Sequence, residues 1–305
     1  MNFERVRKLK SCVPLVSGKV SIKNWLKAVR YQYLPASVIP AFTGIALAYR
    51  AGHFNAFYAL LTVFGVALAH MSADLFNDYY DYVKGTDLLS KNRGLSGGSG
   101  VLVEGLLSPK EVKRAGYLLL GFAAVVGLYL TLLRGLPVLL LTLLGGVSIY
   151  LYTSVLQRVG LGELTLTLER VATVAGSFYV QALFVTSATI FSGLSLGVLS
   201  IYMVYYAAFP DYDADKTTGK KTLVVLLGKE RALKITPLFP LVSYFFVFLG
   251  VLLNALPLYA LFTLCVLPLA ILSVLSAKKG QVSQGLRQTA IFTRVFGVVL
   301  TLSVL

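Results

Sequence analysis

The side chains best suited to metal and phosphate chemistry in this sequence are its aspartates, which gather in two short stretches. All seven aspartates of the 305-residue chain lie in residues 74–87 or residues 211–215. Each stretch ends a long apolar run and is followed by a segment with Lys, Arg and Gly. A carboxylate at membrane depth is costly, so its presence there indicates a functional site.

The first stretch places three carboxylates on one helical face. Asp74, Asp78 and Asp81 are spaced four and then three residues apart, and Asn77 borders the same face. Like charges on one face repel each other unless a cation neutralises them. Because Mg²⁺ takes carboxylate, carbonyl and phosphate oxygens as ligands, the pattern predicts a magnesium site. The alternative, a solvated helix end with incidental acids, does not explain why the other helix ends carry no aspartate.

The second stretch repeats this order of carboxylates followed by cations. Asp211 and Asp215 share a helical face, whereas Asp213 points elsewhere on a regular helix. Pro210 is expected to bend the span into a new helical segment at this point. The repetition predicts that the two groups of carboxylates bind one phosphorylated ligand through divalent cations.

Basic segments that contain glycine follow both stretches. Lys91 and Arg93 precede a run of Gly and Ser, and Lys220 and Lys221 follow Gly219. Glycines let backbone N–H groups approach an anion and the basic side chains add charge, so both segments suit a phosphate. A flexible linker is the alternative for the first segment.

The composition requires most of the chain to lie in a membrane. Hydrophobic residues make up 57% of the chain and charged residues 13%, and the mean hydropathy is +0.77. Soluble domains contain about 25% charged residues. The net charge of +15 comes from Lys and Arg in short segments between apolar runs, as membrane topology predicts, so we expect no nucleic-acid partner.

Apolar runs of about 20 residues predict an all-α, polytopic membrane protein with nine transmembrane helices. The predicted spans are residues 24–50, 55–83, 112–133, 136–156, 163–187, 190–212, 232–253, 257–277 and 288–305. Residues 1–23 form a basic tail, and residues 1–305 are expected to form a single membrane-embedded domain.

The distribution of basic residues predicts the orientation of these spans. With a cytoplasmic N-terminus, 25 of the 28 Lys and Arg residues fall on the cytoplasmic side, as the positive-inside rule requires. The C-terminus is then outside, and both aspartate stretches lie at the cytoplasmic ends of their spans. We therefore expect a multi-pass protein of the cell membrane whose site opens to the cytoplasm.

Taken together, these motifs resemble the UbiA superfamily of intramembrane prenyltransferases. The resemblance covers nearly the whole chain and rests on Asn77-Asp78-x-x-Asp81, Asp211-x-Asp213-x-Asp215-Lys216 and Gly219-Lys220-Lys221-Thr222-Leu223. Residues 152–153, 160–164 and 176–181 look like the menaquinone branch, the 1,4-dihydroxy-2-naphthoate prenyltransferases. The fold that the resemblance implies is a ring of nine transmembrane helices around a central cavity.

The activity that the resemblance implies is Mg²⁺-dependent transfer of a polyprenyl group from an allylic isoprenyl diphosphate to a lipophilic or aromatic acceptor. Ionisation of the diphosphate would give a carbocation, which the acceptor captures inside a membrane-buried cavity that excludes water. A lateral opening to the membrane lipid would admit the prenyl tail and release the product. The implied acceptor is a quinone precursor such as 1,4-dihydroxy-2-naphthoate.

The resemblance also assigns roles to residues. The metal ligands would be Asn77, Asp78, Asp81, Asp211 and Asp215, with Asp74, Asp87 and Asp213 as further candidates. The diphosphate would be neutralised by Lys91, Arg93, Lys216, Lys220 and Lys221. The catalytic residues would be Asp78, Asp81, Asp211, Asp215, Tyr150 and Tyr152. The aromatic candidates to face the carbocation are these two tyrosines together with Phe178 and Tyr179.

The first motif departs from the family pattern at its last aspartate. Many members have that aspartate four residues after the position of Asp81, where this chain has Gly85 and places Asp87 two residues later. Whether Asp87 joins the other carboxylates therefore depends on the fold.

Two other functions fit part of the pattern. Geranylgeranyl transfer to a geranylgeranylglyceryl phosphate lipid would use the same diphosphate site. A divalent-cation transporter would also use carboxylates, but its ligands should lie near the bilayer midplane rather than at one side.

Three polar residues lie inside apolar runs without a role in these motifs. His70 precedes Asp74 by one helical turn, and a packed histidine is favoured there over a proton relay. Glu169 and Arg170 are adjacent and so do not face each other on a helix, which means that each needs partners elsewhere. A cavity-lining role is the alternative for this pair.

Overall fold

The computed structural model describes residues 21–90, 96 and 98–305, and these residues form helices without a strand. The α-helices are α1 Ile22–Ala28, α2 Pro35–Arg50, α3 Ala56–Lys84, α4 Thr86–Leu89, α5 Pro109–Arg134, α6 Leu136–Leu151, α7 Gln157–Val159, α8 Gly162–Ala182, α9 Ser187–Thr218, α10 Leu223–Leu227, α11 Lys229–Ile235, α12 Leu238–Leu252, α13 Leu267–Lys278 and α14 Val282–Ser303. Tyr31–Tyr33 and Leu258–Val266 are 3₁₀-helical, and Tyr152–Leu156 is a π-helical segment after α6. The all-α prediction is confirmed.

Six helical stretches among the described residues are long and apolar enough to cross a membrane. They are Ala56–Lys84, Pro109–Arg134, Leu136–Val159, Ser187–Thr218, Lys229–Leu252 and Leu258–Lys278. The predicted count of nine is therefore not confirmed. Of the other predicted spans, α2 has only 16 residues, whereas α8 and α14 carry charged residues within the helix.

The side chains on the outer faces of the helices suit a lipid environment. Large apolar side chains there are widely exposed, including Leu132 at 85%, Leu60 at 72% and Leu118 at 62%. Soluble monomers rarely expose so much contiguous apolar surface. The chain is therefore a multi-pass membrane protein.

The first predicted span, residues 24–50, is interrupted in the structure. α1 ends at Ala28, Arg30 has a left-handed conformation with a φ of 45°, and α2 begins at Pro35. Proline suits the first position of a helix, where its missing N–H would have no partner. The interruption turns Arg30 back towards Asp78, with which it forms an ion pair.

The two longest helices, α3 and α9, carry the aspartates near their C-terminal ends. α3 starts after Asn55, whose side chain accepts hydrogen bonds from the N–H groups of Phe57 and Tyr58. Gly85, with a φ of 89°, follows the last residue of α3, and Gly219, with a φ of 81°, follows the last residue of α9. Because glycine adopts this conformation at little cost, the chain can turn sharply after each group of carboxylates.

The new helical segment expected at Pro210 does not form. α9 continues through Pro210 to Thr218 as one helix. A proline inside a helix removes one backbone hydrogen bond, but packing against neighbouring helices can hold the helix together. The fully buried rings of Tyr205 and Tyr206 provide that packing one turn before the proline.

Close contacts fix α8 between α2 and α9. A Cβ on Gly44 of α2 would lie 2.2 Å from the carbonyl oxygen of Val174, and a Cβ on Gly193 of α9 would lie 2.6 Å from the Cα of Val171. Small residues allow helix backbones in a membrane to approach this closely. The packing brings polar faces of α2, α8 and α9 around one cavity.

Candidate functional site

A cavity of about 770 Å³ lies between the helices and joins two chemically different ends. Its acidic end is lined by Asn77, Asp81, Asp87, Asp211, Asp215 and Lys220. Its apolar end is lined by Leu61, Leu130, Val138, Leu141, Leu144 and Val180. The structure therefore brings the two aspartate stretches together at one end of a largely apolar space.

Lys220 joins the two stretches through an ion pair with each. Its Nζ lies 2.6 Å from Asp81 Oδ2 and 3.9 Å from Asp215 Oδ1, and all three side chains are buried. Burial disfavours the charged ammonium, but the neighbouring carboxylates of Asp81 and Asp215 outweigh burial and raise the pKa of Lys220. Asp81 Oδ1 has no hydrogen-bond partner among the described residues, so this buried oxygen still lacks a cation or donor.

Asp78 lies behind the lining of the acidic end. Its carboxylate is buried, forms the ion pair with Arg30 and accepts hydrogen bonds from the N–H and hydroxyl groups of Ser99. Arg30 itself lines the cavity. Asp78 thus fixes a guanidinium at the cavity wall. Sequence reasoning missed Arg30 and Ser99, because no local spacing links either residue to the motif.

Asp87 joins the acidic end despite its displaced position in the sequence. Its side chain is buried and lines the cavity. Gly98, with a φ of 76°, passes so close that a Cβ there would lie 2.6 Å from Asp87 Oδ2. Burial and the nearby carboxylates of Asp81 and Asp78 raise the pKa of Asp87 well above its usual range. The fold therefore places Asp87 with the other candidate metal ligands.

Hydroxyl groups orient two further oxygen ligands at the acidic end. Thr153 Oγ1 donates to Asn77 Oδ1 at 2.9 Å, and Ser90 Oγ donates to Asp211 Oδ1 at 2.5 Å. Thr153 belongs to the π-helical segment and Ser90 follows α4, so short irregular segments hold residues of the two long helices in place.

Several predicted site residues lie away from the acidic end. The side chain of Asp213 is 85% exposed and pairs with Lys229 at 3.2 Å. Lys216 and Lys221 are exposed and do not line the cavity. Lys91 and Arg93 fall outside the described residues, so their predicted role stays a prediction.

The predicted aromatic residues also differ in whether they line the cavity. Tyr152 lines the cavity, whereas Tyr150 is 40% exposed. The ring of Tyr150 lies in an outer aromatic cluster, with centroid distances of 6.2 to 6.4 Å to Phe76, Tyr80 and Tyr117. Phe178 and Tyr179 do not line the cavity, so Tyr152 is the predicted aromatic that the fold favours.

A second polar group lies deeper in the cavity. This deep polar group consists of Ser37, His70, Asp74 and Arg170, which all line the cavity. An Arg170 N–H donates to Ser37 Oγ at 3.0 Å, and Ser37 Oγ lies 2.8 Å from His70 Nδ1. His70 Nε2 in turn lies 3.4 Å from Asp74 Oδ2. The structure thus places Asp74 with His70 rather than with the carboxylates nearer to Lys220.

The acidic end suits a cation that arrives with its ligand. Among the described residues, no three His, Cys, Asp or Glu side chains are grouped closely enough to hold a metal ion by themselves. Arg30 and Lys220 neutralise the carboxylates instead. The oxygen donors nevertheless match the preference of Mg²⁺, which completes its shell with water and phosphate oxygens. The donor set therefore fits Mg²⁺ bound together with a diphosphate.

Comparisons with known proteins agree on one family. The model of the UbiA prenyltransferase family matches residues 37–295. The chain is 32% identical over 219 residues to the 1,4-dihydroxy-2-naphthoate octaprenyltransferase of Escherichia coli (strain K12), which covers 68% of this chain and 70% of that protein.

Two solved structures share the fold. A UbiA homologue from Aeropyrum pernix K1 without ligand has a TM-score of 0.72 and 18% identity, over 90% of this chain and 98% of that chain. A UbiA homologue from Archaeoglobus fulgidus bound to GPP and Mg²⁺ has a TM-score of 0.64 and 18% identity, over 92% of this chain and 99% of that chain.

Proposed function

This chain belongs to the UbiA prenyltransferase family, and from that premise we propose that it transfers a polyprenyl group from an allylic isoprenyl diphosphate to 1,4-dihydroxy-2-naphthoate with Mg²⁺ as cofactor. The protein is a membrane-embedded polyprenyltransferase. The observation that carries the proposal is one cavity whose acidic end suits a diphosphate with its cations and whose apolar end suits an isoprenyl chain. The name of the E. coli relative supports the naphthoate, and the GPP and Mg²⁺ in the archaeal homologue support the donor and the cofactor.

The acidic end would bind the diphosphate. The proposed metal-binding residues are Asn77, Asp81, Asp87, Asp211 and Asp215, whereas Asp78, which was also predicted as a ligand, holds Arg30 at the cavity wall instead. When bound there, Mg²⁺ supplies positive charge that stabilises the leaving diphosphate. Once the carboxylates are neutralised in this way, Lys220 can turn from Asp81 to a phosphate oxygen, because its ammonium already lies in the same space. Arg30 lines the same cavity and adds a second cationic side chain.

The chemistry then follows from charge and from the exclusion of water. The allylic C–O bond breaks with its electron pair on the diphosphate, and the positive charge left on the isoprenyl group can face the ring of Tyr152. A ring carbon of the acceptor supplies the electron pair of the new C–C bond. That carbon then loses its proton, or its carboxylate as CO₂, and the bonding pair returns to the ring, which becomes aromatic again. The apolar end keeps water away from the carbocation and holds the rest of the chain.

The proposed orientation places this chemistry at the cytoplasmic side of the cell membrane. The last turns of α3 and α9 lie at the acidic end, and segments with Lys and Arg follow both helices in the sequence. Since basic segments remain in the cytoplasm, a soluble diphosphate product would leave on that side.

The test is a prenyl-transfer assay with the purified protein in lipid nanodiscs. Geranylgeranyl diphosphate is the donor, with and without Mg²⁺, and 1,4-dihydroxy-2-naphthoate and geranylgeranylglyceryl phosphate are offered as acceptors. We expect product with the naphthoate alone and none without Mg²⁺. Asp81→Asn should lower turnover by about 100-fold or more, because loss of one group that stabilises the charge of a transition state has an effect of this size. Asp213→Asn, a matched change outside the cavity, should remain within about twofold of the wild type because exposed charges contribute little.

Each contrary result has a distinct meaning. Product with the glycerol lipid alone would keep the mechanism and replace the acceptor. Equal losses in the Asp81→Asn and Asp213→Asn variants would contradict the assignment of the acidic end. Absence of both turnover and Mg²⁺-dependent diphosphate binding would overturn the proposal and favour cation transport.

A further inference from the structure

The cavity has two unlike walls beyond its acidic end. One wall carries the deep polar group on α2, α3 and α8, and Ser200 of α9 extends it. The other wall, on α6, presents apolar or small residues across residues 141–147, apart from one threonine. An isoprenyl chain matches the second wall. The polar wall must therefore bind a group other than the isoprenyl chain, or only stabilise the fold.

The charge on this polar wall comes from Arg170. Its guanidinium donates to the hydroxyls of Ser37 at 3.0 Å and Ser200 at 2.9 Å, and its side chain is buried. Among the described residues, no ion pair joins Arg170 to a carboxylate. Glu169 lines the same cavity and interacts electrostatically with Arg170, but it forms no ion pair with the guanidinium, whose hydrogen bonds go to neutral hydroxyls. A buried charge without a directly paired anion is costly, so an anion that contacts the guanidinium would be favoured. Because Arg170 lines the cavity, such an anion can reach it from there.

Two further polar atoms in the deep polar group lack a hydrogen-bond partner. His70 Nε2 and Asp74 Oδ2 are both buried without one among the described residues, and they lie 3.4 Å apart. His70 Nδ1 is already engaged by Ser37 Oγ. These two atoms are close to each other but make no hydrogen bond, so a small polar group such as a hydroxyl can bind both of them beside the guanidinium.

The distance from the acidic end suits an acceptor ring. His70 precedes Asp81 by three helical turns of α3, which is about 16 Å at 1.5 Å per residue. This length accommodates a diphosphate, the first carbons of an isoprenyl group and one aromatic ring system. An acceptor with its acid group at Arg170 would thus have its ring next to the carbon that reacts.

We propose that Arg170 binds the carboxylate of the acceptor, while His70 and Asp74 bind a hydroxyl group on the same ring. This inference rests on the proposed function and specifies the acceptor class as an aromatic hydroxy acid. Ser37 and Ser200 position the guanidinium from two sides, because they belong to α2 and α9, which pack on α8. Arg170 thereby determines the specificity for acceptors that carry a carboxylate.

The competing explanation is that Arg170 only braces the fold by linking α2 to α9. The two explanations differ in what they predict for ligands with and without an acid group. A brace affects all ligands alike, or affects stability alone. A carboxylate-binding residue affects acidic ligands and leaves their neutral analogues unchanged.

The experiment compares the binding of two probes by titration calorimetry in detergent, with Mg²⁺ and inorganic diphosphate present. The probes are 1-hydroxy-2-naphthoate and 1-naphthol, which differ by the carboxylate alone. The wild type should bind the naphthoate at least tenfold more tightly. Arg170→Gln should weaken naphthoate binding by about 10- to 100-fold and leave naphthol binding unchanged, as loss of charged hydrogen bonds predicts. Arg170→Lys should restore part of the affinity.

A matched control is Arg134→Gln, since Arg134 donates to the carbonyl oxygen of Gln181 and does not line the cavity. It should bind both probes as the wild type does. Thermal unfolding of each variant shows whether the fold is kept. If Arg170→Gln fails to fold, Arg170→Lys, which keeps the positive charge, is the variant that tests the site.

The outcomes separate this inference from the proposed function. Equal binding of the two probes by the wild type, or an equal loss of both in Arg170→Gln, would overturn the carboxylate site. Diphosphate binding is measured in a parallel titration without a probe. If that binding does not depend on Mg²⁺ while the preference for the naphthoate persists, the proposed function fails and the acid-binding site remains.

Discussion

Replacing Lys220 by Met removes the one ammonium that lies between Asp81 and Asp215 in the described structure. Met is similar in length and carries no charge, so the change tests the charge rather than the packing. All three side chains are buried, with exposed fractions of 9% for Lys220, 5% for Asp81 and 6% for Asp215. The substitution leaves two buried carboxylates without their common partner.

The expected cost follows from this burial. Removal of one partner of a buried ion pair costs about 3–5 kcal/mol, because the remaining charge is uncompensated. At roughly 2–3 °C per kcal/mol for a chain of this size, the thermal midpoint without Mg²⁺ should fall by roughly 6–15 °C. Lys221→Met, at an exposed neighbour outside the cavity, should change it by less than about 2 °C.

The assay is thermal unfolding in detergent, in EDTA and then with Mg²⁺ and inorganic diphosphate. Asp81→Asn in the Lys220→Met background should recover part of the lost stability, since it removes one of the stranded charges. Added Mg²⁺ should stabilise Lys220→Met more than the wild type because the ion replaces the missing cation. Mg²⁺ at a free concentration of 100 times its dissociation constant would add about 2.7 kcal/mol to the free energy of unfolding.

Two results would refute this reasoning. One is a midpoint for Lys220→Met in EDTA that equals that of the wild type, which would mean that the pair contributes no net stability. The other is a double variant less stable than Lys220→Met, which would mean that Asp81 and Lys220 stabilise the fold independently.

Three further predictions follow from the same end of the cavity. Gly98→Ala should weaken Mg²⁺-dependent diphosphate binding, because the backbone there has a φ of 76° and the new Cβ would meet Asp87. The left-handed conformation alone costs a non-glycine residue about 1–2 kcal/mol. Gly121→Ala, where a Cβ would meet no atom, is its control, and equal diphosphate affinity in both variants would contradict the prediction. Asp211→Asn should lower turnover by about 100-fold in the prenyl-transfer assay, whereas Asp213→Asn should not; similar losses in both would refute the difference in placement. Asp87→Asn should raise thermal stability at pH 8 without Mg²⁺. The raised pKa means that the folded protein favours the neutral carboxyl of Asp87. The contribution of this carboxyl to the free energy of unfolding is therefore complete below the pKa of the unfolded state, about 3.9, and is lost as the pH rises through the pKa of the folded state. The advantage of the variant should shrink at lower pH, and an advantage that is constant with pH would contradict this.

The helical membrane class and the pairing of the two aspartate stretches were accessible from the sequence. Composition alone requires lipid-exposed helices, because so few charged residues cannot cover a soluble surface. The spacing of Asp211 and Asp215 places both on one helical face, and both line the cavity. The prediction that a new helical segment begins at Pro210 was wrong, since propensity is local whereas the packing that overrides it is not.

The partners of the carboxylates were decided by the tertiary structure. Arg30 meets Asp78 across 48 residues of sequence, and Lys220 meets Asp81 across 139. No periodicity relates such positions, because only the packing of the helices brings them together. The same holds for Asp87, whose place depends on the turn that the left-handed Gly85 makes possible.

The sequence by itself determined which side chains share a helix, and therefore the membrane class and the two groups of carboxylates. It left open which face of each helix points inwards. Tyr150 and Tyr152 illustrate the limit, since residues two apart on a helix point in nearly opposite directions, and only the second lines the cavity. Arg170 shows the same dependence, because its neighbours Ser37 and Ser200 come from two other helices. Helical periodicity is a local property of the backbone, whereas the rotation of each helix about its axis is set by packing against all the others.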